Sequence, residues 1–429
     1  MTQLTQLREK AWFWYLFPAL AMALGWMLRG YIGGSSLGAM IPGSMIGLAL
    51  CLLLNRHRDA GLIAAFAAVG IGFGGQETYG QTVGLSVQPE TFYWGILGFF
   101  IKGGKWGLLG GALIGIALTR DRYSDKDLIA SFALMVAGTY AGWKLLNEPK
   151  LIYFSNPIDQ PRAELWFGLL LGAIVMLLYL SWQGGAALPW RFALWGALGG
   201  SIGFAAGAAA QVWGRHNMPV FPFGWWKFME MTFGFLLGLG FGICAWRNRK
   251  EIPAQPALSP PASVLPSLGW AALSIAIAIA LHQSIASRLD YTIAGALLLS
   301  IALYSEEFCW QTAITATYCA FAIDLLRYRP TYPAPVMWTL VILTTIAVAA
   351  YVARTPRARN LFLLMTWTST LMAMLKSFLP PAKLDKPIAM EIVFLSFAAI
   401  LTLWLHERSG MVVTPPERSA RRRAQTVLR

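Results

Sequence analysis

Apolar runs of about 16 or more residues recur from one end of this chain to the other, separated by short polar segments. At about 1.5 Å of rise per residue, each run is long enough to be a candidate membrane span. The pattern therefore predicts an all-α polytopic membrane protein with about fourteen transmembrane helices. Their predicted ranges are 11–29, 35–54, 60–75, 92–118, 128–146, 163–182, 190–213, 224–246, 267–284, 289–305, 307–326, 336–353, 361–376 and 389–405.

The range 92–118 is longer than one span requires and contains the sequence KGGKW. Because paired glycines weaken a helix interior, this composition favours a re-entrant piece followed by a span.

Composition agrees with the membrane class. The chain of 429 residues is 57% hydrophobic and only 13% charged, whereas soluble domains carry about 25% charged residues. The net charge of +14 does not indicate nucleic acid, because the basic residues cluster in the loops between apolar runs and in the C-terminal tail. The pattern thus predicts the lipid bilayer as a partner and no nucleic-acid partner.

The basic loops give an orientation. They alternate along the chain, and cytoplasmic loops of membrane proteins are the ones enriched in Lys and Arg. We therefore predict a multi-pass protein of a bacterial-type inner membrane with both termini in the cytoplasm. The connections SEE and LRYRP, which flank the tenth to twelfth predicted helices, depart from this alternation. The residues that mark the cytoplasmic side are Arg8, Lys10, Arg56, Arg58, Arg120, Arg122, Lys126, Arg191, Arg247, Arg249, Lys250, Arg354, Arg357, Arg359, Arg418, Arg421, Arg422 and Arg423.

A proline-rich stretch divides the chain into two parts. Residues 252–267 read IPAQPALSPPASVLPS, a composition typical of an extended linker. Of the 42 glycines, all but Gly269, Gly295 and Gly410 precede this stretch. We predict a Gly-rich eight-helix module at 1–250, a cytoplasmic linker at 251–267, a second module of about six helices at 268–405, and a basic cytoplasmic tail at 406–429.

Four helical hairpins in the first module share a glycine pattern, which predicts an internal repeat. Their second helices carry glycines four residues apart, and such a face lets another helix approach closely. The same faces would also permit oligomer formation. The first helices share the pairs Gly25-Trp26, Gly72-Phe73, Gly142-Trp143 and Gly203-Phe204. The second helices share the sets Gly43/Gly47, Gly111/Gly115, Gly168/Gly172 and Gly234/Gly238/Gly242.

Charged and amide side chains inside these apolar runs are the candidate site. A charge at the centre of a membrane helix costs roughly 2.5 kcal/mol or more, so each one calls for a reason. All the candidates lie towards the predicted outward ends of hairpin helices. They are Arg29, Gln76, Glu77, Lys105, Lys227 and Glu230. The alternative for the basic residues is that they reach lipid headgroups beside an interfacial Trp, which applies especially to Lys227 and Lys144.

No enzyme or cofactor motif accompanies these residues. The chain contains no Walker A or HExxH sequence, and its two GxSxG matches, at 34–38 and 199–203, lie among predicted membrane helices rather than at the strand-to-helix elbow that a catalytic serine of this motif requires. Its four cysteines lie in or at the ends of apolar runs and its four histidines are scattered, so the sequence indicates neither a disulfide framework nor a metal site. We therefore expect no metal and no cofactor, and the sequence leaves any catalytic residues unassigned.

Three functions fit this pattern. The leading hypothesis is a secondary transporter or permease for a small polar solute, anions included, with Glu77 or Glu230 coupling transport to protons or cations. The second is an integral-membrane enzyme whose outward-facing site acts on a lipid-linked substrate, because the predicted outer loops combine amide, carboxylate, basic and aromatic groups. The third is a non-catalytic scaffold subunit of a membrane complex.

Overall fold

The computed structural model describes residues 3–33, 37–74, 80–155, 164–284, 289–328, 331–378 and 388–406. In these ranges the regular structure is helical, apart from one isolated bridge between Arg56 and Gln255. The α-helices are α1 Gln3–Arg8, α2 Ala11–Ile32, α3 Met40–Leu54, α4 Ala60–Gly74, α5 Gly80–Val87, α6 Phe92–Leu118, α7 Asp125–Gly142, α8 Trp166–Gly184, α9 Ala187–Asn217, α10 Trp225–Asn248, α11 Val264–Ser284, α12 Asp290–Ala302, α13 Glu306–Trp310, α14 Thr317–Asp324, α15 Ala334–Arg354, α16 Ala358–Phe378 and α17 Ala389–Trp404.

Seven helices in the described residues are long and apolar enough to cross a membrane. This confirms the all-helical class and is consistent with a multi-pass membrane protein. The count of fourteen spans stays a prediction, because several of the predicted ranges are shorter helices of 10–17 residues. The seven are Ala11–Ile32, Asp125–Asn147, Trp166–Gly184, Ala187–Asn217, Trp225–Asn248, Ala334–Arg354 and Ala358–Phe378.

Six helices pack into a closed ring. In order around the ring they are α2, α3, α4, α6, α9 and α10, with α10 packed back onto α2. The pair α7 and α8 lies beside this ring, where α8 contacts α6 and α7 contacts α12. The ring therefore contains three of the four predicted hairpins, and the third hairpin lies outside it.

Glycines form the closest contacts of this ring. A Cβ atom added at Gly107 or Gly111 of α6 would overlap the carbonyl oxygen of Gly196 or Phe192 on α9. A Cβ at Gly234 of α10 would lie 2.5 Å from the carbonyl oxygen of Met22 on α2. The glycines four residues apart thus lie where two helix backbones meet, as expected of small residues in membrane helices.

The helix α6 is continuous over 27 residues, so the range 92–118 is one helix rather than a re-entrant piece and a span. Its glycines do not break it because they pack against α9 along the whole contact. Close packing on a neighbour offsets the roughly 1 kcal/mol by which each glycine weakens an isolated helix. The chain reverses before α6 instead, where α5 is only eight residues long.

The helices α3 and α4 lie at the centre of the molecule. Every residue of α3 is buried, and α4 is buried at every position except Leu62. The first half covers them with α2 and α6, and the second half covers them with α12, α13 and α16. At 15 residues each, or about 22 Å, they are shorter than the roughly 30 Å hydrocarbon core, which protein-enclosed helices tolerate better than lipid-exposed ones.

The proline-rich linker is extended and is fastened to both halves. The Gln255 carbonyl accepts from the His57 amide at 2.8 Å, and the Gln255 amide donates to the Asn55 carbonyl at 2.9 Å. Further along, the Ala262 amide donates to the Ala353 carbonyl at 2.8 Å. The helix α11 begins at Val264, inside the predicted linker, because proline in a first helical turn removes no intrahelical hydrogen bond.

Candidate functional site

Four aromatic rings meet inside the helical ring and form what we call the aromatic layer: Trp26 of α2, Trp106 of α6, Phe204 of α9 and Phe233 of α10. The centroids of Trp26 and Trp106 are 4.8 Å apart, and those of Phe204 and Phe233 are 4.4 Å apart. The helices α2 and α6 are not neighbours in the ring, so the contact between Trp26 and Trp106 crosses its interior. The Trp106 indole N–H donates to the Ile71 carbonyl on α4 at 2.7 Å, which fixes the orientation of this ring.

Two cations lie against the aromatic layer. The Arg29 Cζ atom is 5.2 Å from the ring of Trp26 and 5.6 Å from that of Trp106. The Lys105 Nζ atom is 5.2 Å from the ring of Trp106 and donates to the Gly74 carbonyl at 3.2 Å. Both side chains are about 98% buried, with 2% of their surface exposed. Contacts at these distances are favourable cation–π interactions, and they strengthen where water is excluded.

A carboxylate and a third cation complete this group on α10. The Glu230 carboxylate accepts from Lys227 Nζ at 2.6 Å and from the Trp226 indole N–H at 3.1 Å. A Cβ atom added at Gly30 would overlap both carboxylate oxygens, so Glu230 lies directly on the backbone next to Arg29. Glycine at position 30 is therefore what leaves room for the carboxylate.

The structure thus brings together four of the six predicted site residues, Arg29, Lys105, Lys227 and Glu230, which we call the charged layer. The helices α2 and α10 run antiparallel, because Gly234 packs on Met22 and Gly238 packs on Pro18. The charged layer therefore lies closer to the C-terminal end of α2 than the aromatic layer does. The other two, Gln76 and Glu77, lie outside the described residues. Their participation stays a prediction.

Lys227 and Lys144 differ in their exposure and in their contacts. The Lys144 side chain is 42% exposed, pairs with the exposed Glu148 and lies 4.6 Å from the ring of Trp143. That arrangement fits a lysine at a lipid headgroup. The Lys227 side chain is 11% exposed and pairs with the buried Glu230.

A buried ion pair next to this group was not predicted from the sequence. Lys102 Nζ donates to Glu164 Oε1 at 2.8 Å and to Thr82 Oγ1 at 3.0 Å, and neither charged side chain has exposed surface. The same carboxylate accepts from the Ser155 hydroxyl at 2.8 Å and from the Phe154 amide at 3.0 Å. Lys102 is visible as a charge in an apolar run, but no spacing links it to a glutamate 62 residues away. Because Glu164 accepts several hydrogen bonds within the protein, we assign this pair a structural role.

Comparisons with known proteins returned no matching family model, no matching curated protein and no matching solved structure.

Proposed function

We propose that this protein is a membrane transporter that binds a small anionic solute at the charged layer. The observation that carries the proposal is the meeting of Arg29, Lys105, Lys227 and Glu230, from three helices, against one set of aromatic rings. Charged groups inside a membrane helix are costly and mark solute or ion pathways more often than lipid-facing positions. Three of these four side chains are cations, and guanidinium and ammonium groups bind carboxylate, phosphate or sulfate oxygens.

The aromatic layer suggests how such a site would alternate between two sides. Its aromatic side chains fill the interior of the six-helix ring between the charged layer and the N-terminal end of α2. In the orientation proposed from the basic loops, with both termini in the cytoplasm of a bacterial-type cell, the charged layer lies on the outward side of the aromatic layer. Movement of the ring hairpins relative to one another would then separate the aromatic rings and open the cytoplasmic side.

An uptake assay tests this proposal directly. Purified protein in proteoliposomes is supplied with radiolabelled inorganic phosphate, sulfate and small carboxylates as probe anions. Losing one charge-assisted hydrogen bond costs about 1.5–3 kcal/mol, so Arg29→Gln or Lys105→Met should weaken binding of the accepted anion by roughly 10- to 100-fold. The matched control is Lys144→Gln, which removes an exposed lysine at the same kind of helix position and should leave uptake unchanged.

The proposal fails if the wild-type protein neither binds nor takes up any of these anions. It also fails if Lys144→Gln reduces uptake as much as Arg29→Gln does, because the charged layer would then have no special part.

A second function, an enzyme acting on a lipid-linked substrate, is favoured by the surface of α6. The first half of this helix exposes Tyr93, Trp94, Leu97 and Phe100, while the same helix carries the buried Lys102 and Lys105. A lipid-linked substrate on this face would bring its polar head next to the charged layer. A covalently modified lipid product formed by the purified protein, without uptake of any probe anion, would support this reading over transport.

A further inference from the structure

A second polar cluster joins the two halves of the chain at the C-terminal end of α2. Lys376 of α16 donates to the carbonyls of Tyr31 and Ile32 at 2.8 and 2.6 Å and to Asp324 Oδ2 of α14 at 2.9 Å. These three acceptors among the described residues match the three N–H donors of the ammonium group in number. Lys376 is thereby committed to the last turn of α2 and to Asp324, and Tyr31 is two residues from Arg29 of the charged layer.

The carboxyl group of Glu391, at the start of α17, lies in the same cluster, and no cation among the described residues is bonded to it. Only 6% of the residue's surface is exposed. One oxygen, Oε1, accepts from the Ser377 hydroxyl at 2.5 Å, and the other, Oε2, is buried without a hydrogen-bond partner. The Ser377 hydroxyl also contacts the hydroxyl of Tyr31, so a chain of hydroxyls runs from Glu391 to α2.

The described surroundings of Glu391 offer it a hydroxyl group and no bonded cation. A buried carboxylate is stable when cations and several donors surround it, as around Glu164. Among the described residues, α2 and α16 make the main contacts with α17, and their titratable side chains at this end are Tyr31 and Lys376. The lysine donors go to α2 and Asp324, which leaves hydroxyl groups as the hydrogen-bonding partners of Glu391.

We propose that Glu391 is a proton-binding site of this protein, and that it couples proton movement to solute binding at the charged layer. When the carboxyl is ionised, the Ser377 hydroxyl donates to Oε1. When one proton is taken up from solvent, the carboxyl O–H donates to Ser377 Oγ, and the Ser377 hydroxyl turns towards Tyr31 or the Ala373 carbonyl. The proton thus reverses the hydrogen bond that links α17 and α16 to the end of α2. The coupling part of this inference rests on the proposed transport function.

Infrared spectroscopy tests the proton site without any solute. Purified protein in lipid bilayers is titrated from neutral to acidic pH, and the carbonyl stretch of protonated carboxylic acids is followed in H₂O and D₂O. We expect one such band to be absent in Glu391→Gln and retained in Glu307→Gln, which alters an exposed glutamate. Ser377→Ala should shift this band, because it removes the hydroxyl bonded to Oε1. The proposal is overturned if the wild type shows no such band, or if every wild-type band persists unchanged in Glu391→Gln.

Proteoliposomes with an imposed pH gradient test the coupling. An inward proton gradient should accelerate uptake of the accepted probe anion by the wild type, and Glu391→Gln should take up the anion at the rate seen without a gradient. Equal acceleration in both proteins would refute coupling while leaving transport intact. The converse result, an infrared band assigned to Glu391 with no anion uptake by the wild type, would refute the transport function and keep the proton site.

Discussion

The two lysine–glutamate pairs at Lys102–Glu164 and Lys144–Glu148 have the same chemistry in opposite environments. Neither side chain of the first pair has exposed surface, whereas those of the second are 42% and 45% exposed. Exposed pairs contribute little because water already solvates both charges. Breaking a buried pair leaves an uncompensated charge in an apolar surrounding, which costs about 3–5 kcal/mol.

We therefore expect Glu164→Gln to lower the free energy of unfolding by about 3–5 kcal/mol, because Lys102 would remain as a buried charge. Thermal unfolding of the detergent-solubilised protein measures the change. The double variant Lys102→Met with Glu164→Gln should recover part of the loss. Glu148→Gln is the matched control and should leave the unfolding temperature unchanged. Equal effects of Glu164→Gln and Glu148→Gln would show that burial does not decide the contribution of these pairs.

The loop before α4 gives a pH dependence. Burial, with the nearby charge of Arg8, lowers the pKa of His57 from its ordinary value of 6.5. The unfolded chain therefore binds the proton more readily, and folding loses stability as the pH falls through about 6.5. We expect the wild type to lose more thermal stability than His57→Gln on acidification from about pH 7.5 to pH 5.5. Parallel pH profiles for the two proteins would exclude this contribution.

For single residues, the sequence predicted the buried cations better than the buried carboxylates. Arg29, Lys105 and Lys227 stand out because each interrupts an apolar run. Glu164 and Glu391 lie at the beginnings of helices next to loop segments, where acidic residues are usually exposed. Only the packing of distant segments buries them, and the sequence carries no local signal for that packing.

Helix packing shows the same limit, because the sequence predicts features within one helix but not contacts between distant helices. The sequence predicted that glycines four residues apart would lie at close helix contacts, because spacing along one helix fixes a face. It did not predict which helix would cover that face. The glycines of α6 pack on α9 and those of α10 pack on α2, which are pairings between distant segments. For the same reason the continuity of α6 was not predictable, since the glycines of KGGKW keep a helical conformation by packing on α9.

Gly107 offers a test of these contacts. A methyl group there would overlap the Gly196 carbonyl, so Gly107→Ala must separate α6 from α9 and should destabilise the protein by about 1–3 kcal/mol or more. Gly269→Ala is the matched control, because nothing lies near that position in α11 and alanine favours helix by up to about 1 kcal/mol. Thermal unfolding temperatures compare the two. A Gly107→Ala protein as stable as Gly269→Ala would contradict the close packing.

For the whole molecule, the two halves share the buried helices α3 and α4. The predicted division at the proline-rich linker stays a prediction, and the contacts of α12, α13 and α16 add a condition to it. Separation would expose apolar faces of α3 and α4 that pack against α12, α13 and α16 in the whole chain. We expect fragments 1–257 and 258–429 to assemble and copurify when they are co-expressed, and fragment 1–257 alone to be polydisperse in size-exclusion chromatography. A monodisperse fragment 1–257 would show that the first module needs no partner.

Orientation is a second property of the whole molecule. The basic loops predict that both termini face the cytoplasm. Reporter fusions placed after Arg58, Lys126 and Arg249 should therefore all give the cytoplasmic signal. A periplasmic signal at Lys126 would reverse the orientation and place the charged layer on the inner side.

Cysteine accessibility is the most direct test of the charged layer as a solute site. The native cysteines are all free and buried, so the wild type should label weakly with a membrane-impermeant maleimide. Positions 105 and 227 are buried in this structure, so single cysteines there should label from the outer side only when the layer opens to admit solute, and at least one probe anion should change the rate of this labelling. Lys144→Cys, exposed and away from the layer, should label at the same rate with or without anions, and Leu178→Cys reports a lipid-facing position. If cysteines at positions 105 and 227 label like Leu178→Cys, or at rates that no anion changes, the charged layer is not a solute-binding site.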